Sequence, residues 1–132
     1  MIDTKTMRCP CGDNRQYINC CGRYLDDGEI AATAEILMRS RYMAYTLNRE
    51  DYLLATWHRS TRPILLGLAN RPHNQWLKLT IKCHKQSAPG HATVEFIARY
   101  KINGRAHRLH EISRFVREEG SWFYVDGDIL QS

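Results

Sequence analysis

The feature that most constrains this chain is Cys9-Pro10-Cys11-Gly12, followed by seven residues and then Cys20-Cys21-Gly22. Four of the five cysteines fall within 13 residues. A segment that short cannot build an apolar core and needs a staple. A Cys-x-Cys pair and an adjacent Cys-Cys pair offer four thiolates, the donor set that a tetrahedral structural zinc takes. Iron suits four thiolates as well, so the residues specify a site more firmly than a metal. Pro10 fixes one backbone angle and Gly12 frees the next, which lets Cys9 and Cys11 close on one ion. Asp13 or Asn14 is expected to cap a short helix through Ile18 that delivers Cys20 and Cys21 from its end, with Gly22 stopping it. Adjacent cysteines diverge in a strand but can converge at a helix end. Arg8, Arg15 and Arg23 stand close enough to offset the net negative charge of such a site. Two alternatives are metal-free cysteines and a vicinal Cys20–Cys21 disulfide, the latter needing strained geometry.

The chain of 132 residues as a whole has ordinary globular composition, 43% hydrophobic and 25% charged. The length allows one compact core with a small appended module, here divided as residues 1–25 and 26–132. No stretch approaches the roughly 20 apolar residues that span a bilayer, and Met1 to Arg8 lacks the apolar run of a signal peptide. A cytoplasmic protein is expected, where thiols stay reduced and a metal reading gains on a disulfide. A net charge of +5 allows an anionic partner. No dense basic run favours nucleic acid.

Asp26-Asp27-Gly28 reads as a turn. Helical composition without Gly or Pro runs from Ile30 to Asn48, a second helical piece from Arg49 to His58, and a short one from Pro63 to Ala69. The pattern then alternates. Leu77, Leu79, Ile81 and Cys83 share one face of a strand over Trp76–His84, with Cys83 a small core residue. Val94, Phe96, Ala98 and Tyr100 share a face over Ala92–Lys101. Pro89-Gly90, Asn103-Gly104 and Glu119-Gly120 punctuate further strands over Arg105–Arg117 and Trp122–Val125. Helices first and an antiparallel meander second predict an α+β fold, with helices on one face of a curved sheet.

At this resolution of motif the chain resembles known families. Cys9-Pro-Cys11-Gly-Asp-Asn-Arg-Gln-Tyr17-Ile-Asn-Cys20-Cys21-Gly22 resembles the SEC-C motif, which closes the C-terminus of the translocation ATPase SecA. The resemblance places its metal ligands at Cys9, Cys11, Cys20 and Cys21. It implies a protein or ribosomal partner, an acidic chaperone among the candidates. The run after Gly12 carries less positive charge than the motif usually does. Leu37–Tyr45, Tyr52–Pro63 with its Thr56-Trp57-His58, Glu111–Phe115 and Gly120–Gly127 resemble the YchJ-type family of uncharacterised bacterial proteins. That likeness implies a cone like nuclear transport factor 2, with a cystatin-like sheet, and no particular reaction.

Within such a cone five residues are candidates for a pocket. Arg41 shares a helix face with Leu37, Met38, Ala44 and Tyr45, and a buried arginine needs a partner. Glu111 alternates with Leu109, Ser113 and Phe115 and is the candidate, unless Arg41 snorkels to an edge. Trp57-His58 precedes a helix break. His58 can act as a base near neutral pH, although a structural histidine is the commoner case. His107 and His110 fall on opposite faces of a strand. No acid and base can be placed together from the sequence. The leading reading is therefore a monomeric metal-binding adaptor whose partner contacts include Arg8, Arg15 and Arg23. The second is a small-molecule enzyme or ligand-binding protein using Arg41, Tyr45, Trp57, His58 and Glu111.

Overall fold

A computed structural model describes residues 8–12, 15–67 and 75–130. A short 3-10 turn at Tyr17–Asn19 leads into α1 (Gly22–Leu25), α2 (Ala34–Thr46) and α3 (Glu50–Ala55). Four strands follow: β1 (Gln75–Ala88), β2 (His91–Ile102), β3 (Arg105–Glu118) and β4 (Ser121–Ile129). They pair in sequence order as one antiparallel meander. Helices first and sheet second is the α+β arrangement expected from the sequence.

The helix boundaries follow from capping. α2 starts at Ala34 rather than Ile30, because the Thr33 hydroxyl accepts the Ile36 N–H at 3.1 Å and fixes the first turn. It ends where Asn48 adopts φ 56° and the Arg49 N–H reaches back to Ala44 O at 2.7 Å. The helix expected from Pro63 is absent over 63–67, and Leu68 and Ala69 lie outside the described residues. The Leu66 N–H is taken by the Glu50 carboxylate, and Ile64 is almost fully exposed. An apolar face turned to water gives a helix nothing to bury.

The hairpin at Asn103-Gly104 has both turn residues at positive φ, 51° and 80°, and Glu119-Gly120 repeats this at 51° and 82°. Such turns match the twist of the strands they join. The strands run beyond the expected limits, β4 to Ile129 rather than Val125.

β1 departs from the alternation expected of it. Register shifts between Trp76 and Lys78 and between Ile81 and Cys83 insert Leu77 and Lys82 as bulges. The first turns Trp76, opposite Tyr100, onto the inner face and leaves Leu77 exposed. The second puts Cys83 opposite Glu95 on the outer face, so Cys83 is not a core residue. On β2 the expected face holds: Val94, Phe96 and Ala98 are buried and Tyr100 is half-buried.

α2 packs across the inner face against β1, β2 and β4. Leu37, Met38, Tyr42 and Met43 meet Leu79, Val94, Phe96, Ala98 and Phe115 there. The same apolar cluster includes Cys9, Cys11, Tyr17, Cys20 and Cys21. The cysteine segment and the cone are thus in direct contact. Hydrogen bonds also cross between residues 1–25 and the cone: Arg49 donates to Leu25 O at 3.4 Å, and Arg39 donates to Cys11 O at 2.5 Å. No helix among the described residues is long and apolar enough to cross a membrane.

Candidate metal centre

The backbone around the cysteines is a tight knuckle. Arg8 and Gln16 form an antiparallel bridge, and the Cys9 N–H donates to Arg15 O at 2.6 Å. Gly12 takes φ 89°, the turn that the Cys-x-Cys pair requires. Its Cα lies against Leu79 O of β1, so the knuckle sits on the sheet with no room to spare. Asp13 and Asn14, the expected caps, lie outside the described residues. The second pair arrives from the 3-10 turn rather than a longer helix. Cys20 has φ −126° and ψ −111°, and Cys21 is helical. That break in the backbone is what lets neighbouring side chains point the same way. Gly22 does not stop a helix but opens α1. A Cβ there would come within 2.8 Å of Tyr17 O, so glycine is required for close approach.

All four sulfurs lie within 4.8 Å of one another and all four residues are buried. The Cys11 and Cys20 sulfurs are 3.5 Å apart, those of Cys20 and Cys21 4.0 Å. A tetrahedron with metal–sulfur bonds of about 2.3 Å has sulfur–sulfur edges of about 3.8 Å. The donor set and spacing therefore fit a single ion. Crowding divides the thiols' acidities. Hydrogen bonds from Cys11 and Cys21 pull the Cys9 thiol down to about 2. Bonds from the other three cysteines, and burial, push Cys21 far above its ordinary value. Four thiolates so close repel one another, and a divalent cation would offset that charge and favour loss of the thiol protons. Uptake of a metal would then release protons, and its retention would weaken as pH falls.

Two residues behind the knuckle gave no signal in the sequence. Arg39 donates to Cys11 O at 2.5 Å and pairs with Glu35 at 3.2 Å. Its i,i+4 spacing to Glu35 marks only an exposed helix pair, and nothing local identifies the loop it reaches. The Tyr42 hydroxyl is buried without a hydrogen-bond partner. Burial and the nearby Cys11 and Cys9 raise it to about 12.

Of the expected pocket residues, Arg41 and Trp57 meet and Tyr45 and Glu111 lie near enough to act on the Arg41 charge, whereas His58 is turned to Ser60 and Glu118. Arg41 is 3% exposed, so it does not snorkel to an edge, and it does not pair with Glu111. Its guanidinium donates to Leu53 O at 2.8 Å and Thr56 Oγ1 at 2.7 Å, which closes the C-terminal end of α3. The cation also lies 5.1 Å from the Trp57 ring centroid and 4.7 Å from that of Tyr124. Desolvation lowers its pKa, opposed by Tyr45, Tyr124, Tyr52 and, last, the Glu111 carboxylate. Glu111 instead accepts from the Ser113 hydroxyl at 2.5 Å and lies over the bare Cα of Gly127. Tyr45 joins an aromatic ladder at the cone's mouth: Tyr45 to Trp76 at 6.1 Å, Trp76 to Tyr100 at 5.1 Å, and Tyr100 stacked on His107 at 5.3 Å. Among the described residues, rings thus surround a buried arginine in the cone.

His58 faces away from this interior. Nδ1 accepts from the Ser60 N–H at 3.2 Å and lies 2.7 Å from the Ser60 hydroxyl. The proton therefore sits on Nε2, which donates to Glu118 Oε2 at 2.9 Å. With the His58 N–H bonded to Tyr124 O at 2.7 Å, the ring clips the loop after α3 to β3 and β4. Ser60 and Glu118 are both exposed. A cavity of ≈ 530 Å³ does open elsewhere, between Gly28–Ala31, α3 and Trp122-Phe123.

A knuckle of four converging cysteines seated on a helix-backed antiparallel meander defines a SEC-C protein with a nuclear-transport-factor-2-like domain. Residues 33–127 match the family model for the YchJ middle NTF2-like domain. A UPF0225 protein of Ralstonia nicotianae is 53% identical over 94% of this chain and 92% of its own length. One from Bordetella pertussis is 54% identical over 92% of each. The chain belongs to this UPF0225, YchJ-like family. Among solved structures, a SEC-C motif containing protein from Rhodopseudomonas palustris, determined in solution, has a TM-score of 0.85. It is 34% identical and the match covers 95% of this chain and 100% of that one. A crystallised SEC-C motif containing protein from Psychrobacter arcticus has a TM-score of 0.78 at 27% identity, covering 98% of this chain and 86% of that one.

Proposed function

We propose that this protein is a non-catalytic adaptor whose four cysteines hold a structural zinc ion, and that the metal-fixed knuckle docks a protein or ribosomal partner. The observation that carries the reading is the closed, buried set of four sulfurs within 4.8 Å. All four positions go to protein thiolates, which leaves no open site for a substrate or water, as structural rather than catalytic zinc requires. The packing of Arg41 against Trp57 and Tyr124, and its bonds to Leu53 O and Thr56 Oγ1, give it a structural role and so weigh against the small-molecule reading.

A knuckle that is already rigid loses little entropy on docking. Arg8 and Arg15 are exposed on it. Arg23 is held by Glu29 at 2.8 Å and would have to exchange that carboxylate for the partner's. Capture from lysate on the intact protein, on Cys9→Ser/Cys11→Ser and on Arg8→Glu/Arg15→Glu tests this. The partner should be lost from both variants, and more readily at high salt. Undiminished capture by both would assign it to the cone and overturn the reading.

A further inference from the structure

The sequence has no basic run, yet the sheet assembles one. The register of β1, β2 and β3 places Lys78 opposite Arg99 and Arg99 opposite Arg108, in one row on the outer face. Lys101, two residues along β2, shares that face. All four side chains are exposed. Among the described residues none of them has a carboxylate within salt-bridge distance, whereas Arg23, Arg39, Arg49 and Arg114 each do. The acids of the outer face are engaged further along it, Glu95 with His110 at 2.7 Å and Asp126 and Asp128 with Arg114. Like charges directly opposite one another destabilise a sheet. This row therefore works against folding until an anion lies on it.

We propose that this outer face is a docking surface for the phosphate backbone of a nucleic acid, gripped by Lys78, Arg99 and Arg108 with Lys101 beside them. Strand spacing sets the three cations in a straight line about 10 Å long, on a stiff support. A linear polyanion matches a linear row, and two of the three cations are arginines, whose fork takes phosphate oxygens in pairs. The flanking positions on this face are Gln75, Thr80, Ala106, the buried Ile97 and His110, whose ring is held by Glu95 at 2.7 Å, so no aromatic platform is presented for base stacking. Binding should accordingly be insensitive to sequence. Leu77, exposed beside Lys78, is a single apolar side chain and not the broad apolar face that enters a lipid interface. The surface lies on the sheet face opposite α2 and does not depend on the metal knuckle.

Fluorescence anisotropy of the full chain with a labelled 20-nucleotide single-stranded RNA, read across a salt series, tests the proposal. Each phosphate contact on a single strand contributes about 0.7 to the slope of log Kobs against log salt. Lys78→Gln/Arg99→Gln/Arg108→Gln should flatten that slope by about 2, and Arg99→Gln alone by about 0.7. Arg59→Gln/Arg62→Gln, on the exposed loop after α3, should leave it unchanged. The triple variant should melt no lower than wild type, because it removes opposed like charges; should it melt lower, the Arg99→Gln slope decides. No RNA binding by wild type at low salt, an unchanged slope in the row variants, or equal loss in the loop control would overturn the proposal. So would binding to phosphatidylglycerol vesicles, or to a polyglutamate peptide, in preference to RNA.

Discussion

The knuckle and the cone are ordered by different physics. The described residues of 8–25 contain one bridge, one 3-10 turn and a one-turn helix. Their order converges on four sulfurs. The cone has hairpins of nine to fourteen residues per strand, turns whose φ values suit them, and a helix caged on the inner face. So short a segment has little apolar area of its own, whereas the cone has more. The two nevertheless share a single apolar cluster, so the difference between them is one of degree and can be measured.

The largest effect should come from chelation. Metal binding energy is folding energy for so small a knuckle, on the order of 10 kcal/mol for comparable sites. Amide exchange after chelator treatment should show residues 8–25 losing protection. The α2 turns against them should loosen, and β2 and β3 should stay protected. Global loss of protection would mean that the cone, too, depends on the metal.

Next is the buried cation. Arg41→Met strips Leu53 O and Thr56 Oγ1 of a charged donor and should cost about 2–4 kcal/mol in urea unfolding. Arg59→Met, on the surface, should stay within about 0.5 kcal/mol. Glu111→Gln should cost less than about 1 kcal/mol, because Glu111 holds Ser113 and not Arg41. A cost near 3–5 kcal/mol would reveal an ion pair with Arg41 after all. Gly127→Ala should be worse than Glu111→Gln, by about 1–3 kcal/mol, since the new methyl meets the Glu111 side chain. Adding Glu111→Ala should relieve it.

The smallest effect is expected at Tyr42→Phe. Removing a buried hydroxyl that bonds nothing should leave stability within about 0.5 kcal/mol or raise it slightly. A marked loss in metal-loaded protein would show that the hydroxyl donates to a cysteine sulfur when the ion is present.

What the sequence made legible follows the range of the interactions. The convergence of the four cysteines, the Gly12 turn and the Asn103-Gly104 hairpin are specified within a few residues, and all are where local chemistry puts them. Fold class followed from the order of helical and alternating segments. The bulges at Leu77 and Lys82 were hidden because a single inserted residue flips a face without altering composition. The partner of Arg41 was hidden because it is a backbone carbonyl, and every residue has one. His58 carried no visible neighbour because Glu118 lies 60 residues away and reaches it only through the meander. The cation row was invisible for the same reason: its members come from three strands.

The central claim is that Cys9, Cys11, Cys20 and Cys21 together hold one metal ion. Elemental analysis of the purified protein beside a thiol titration tests it directly, with Cys9→Ser/Cys11→Ser/Cys20→Ser/Cys21→Ser as reference. One zinc per chain, absent from the fourfold variant and released from the wild type as pH falls, is the expected result. An iron stoichiometry with a thiolate-to-iron absorption band would keep the site and change the ion. A metal-free wild type with five reactive thiols and a folded knuckle would contradict the account.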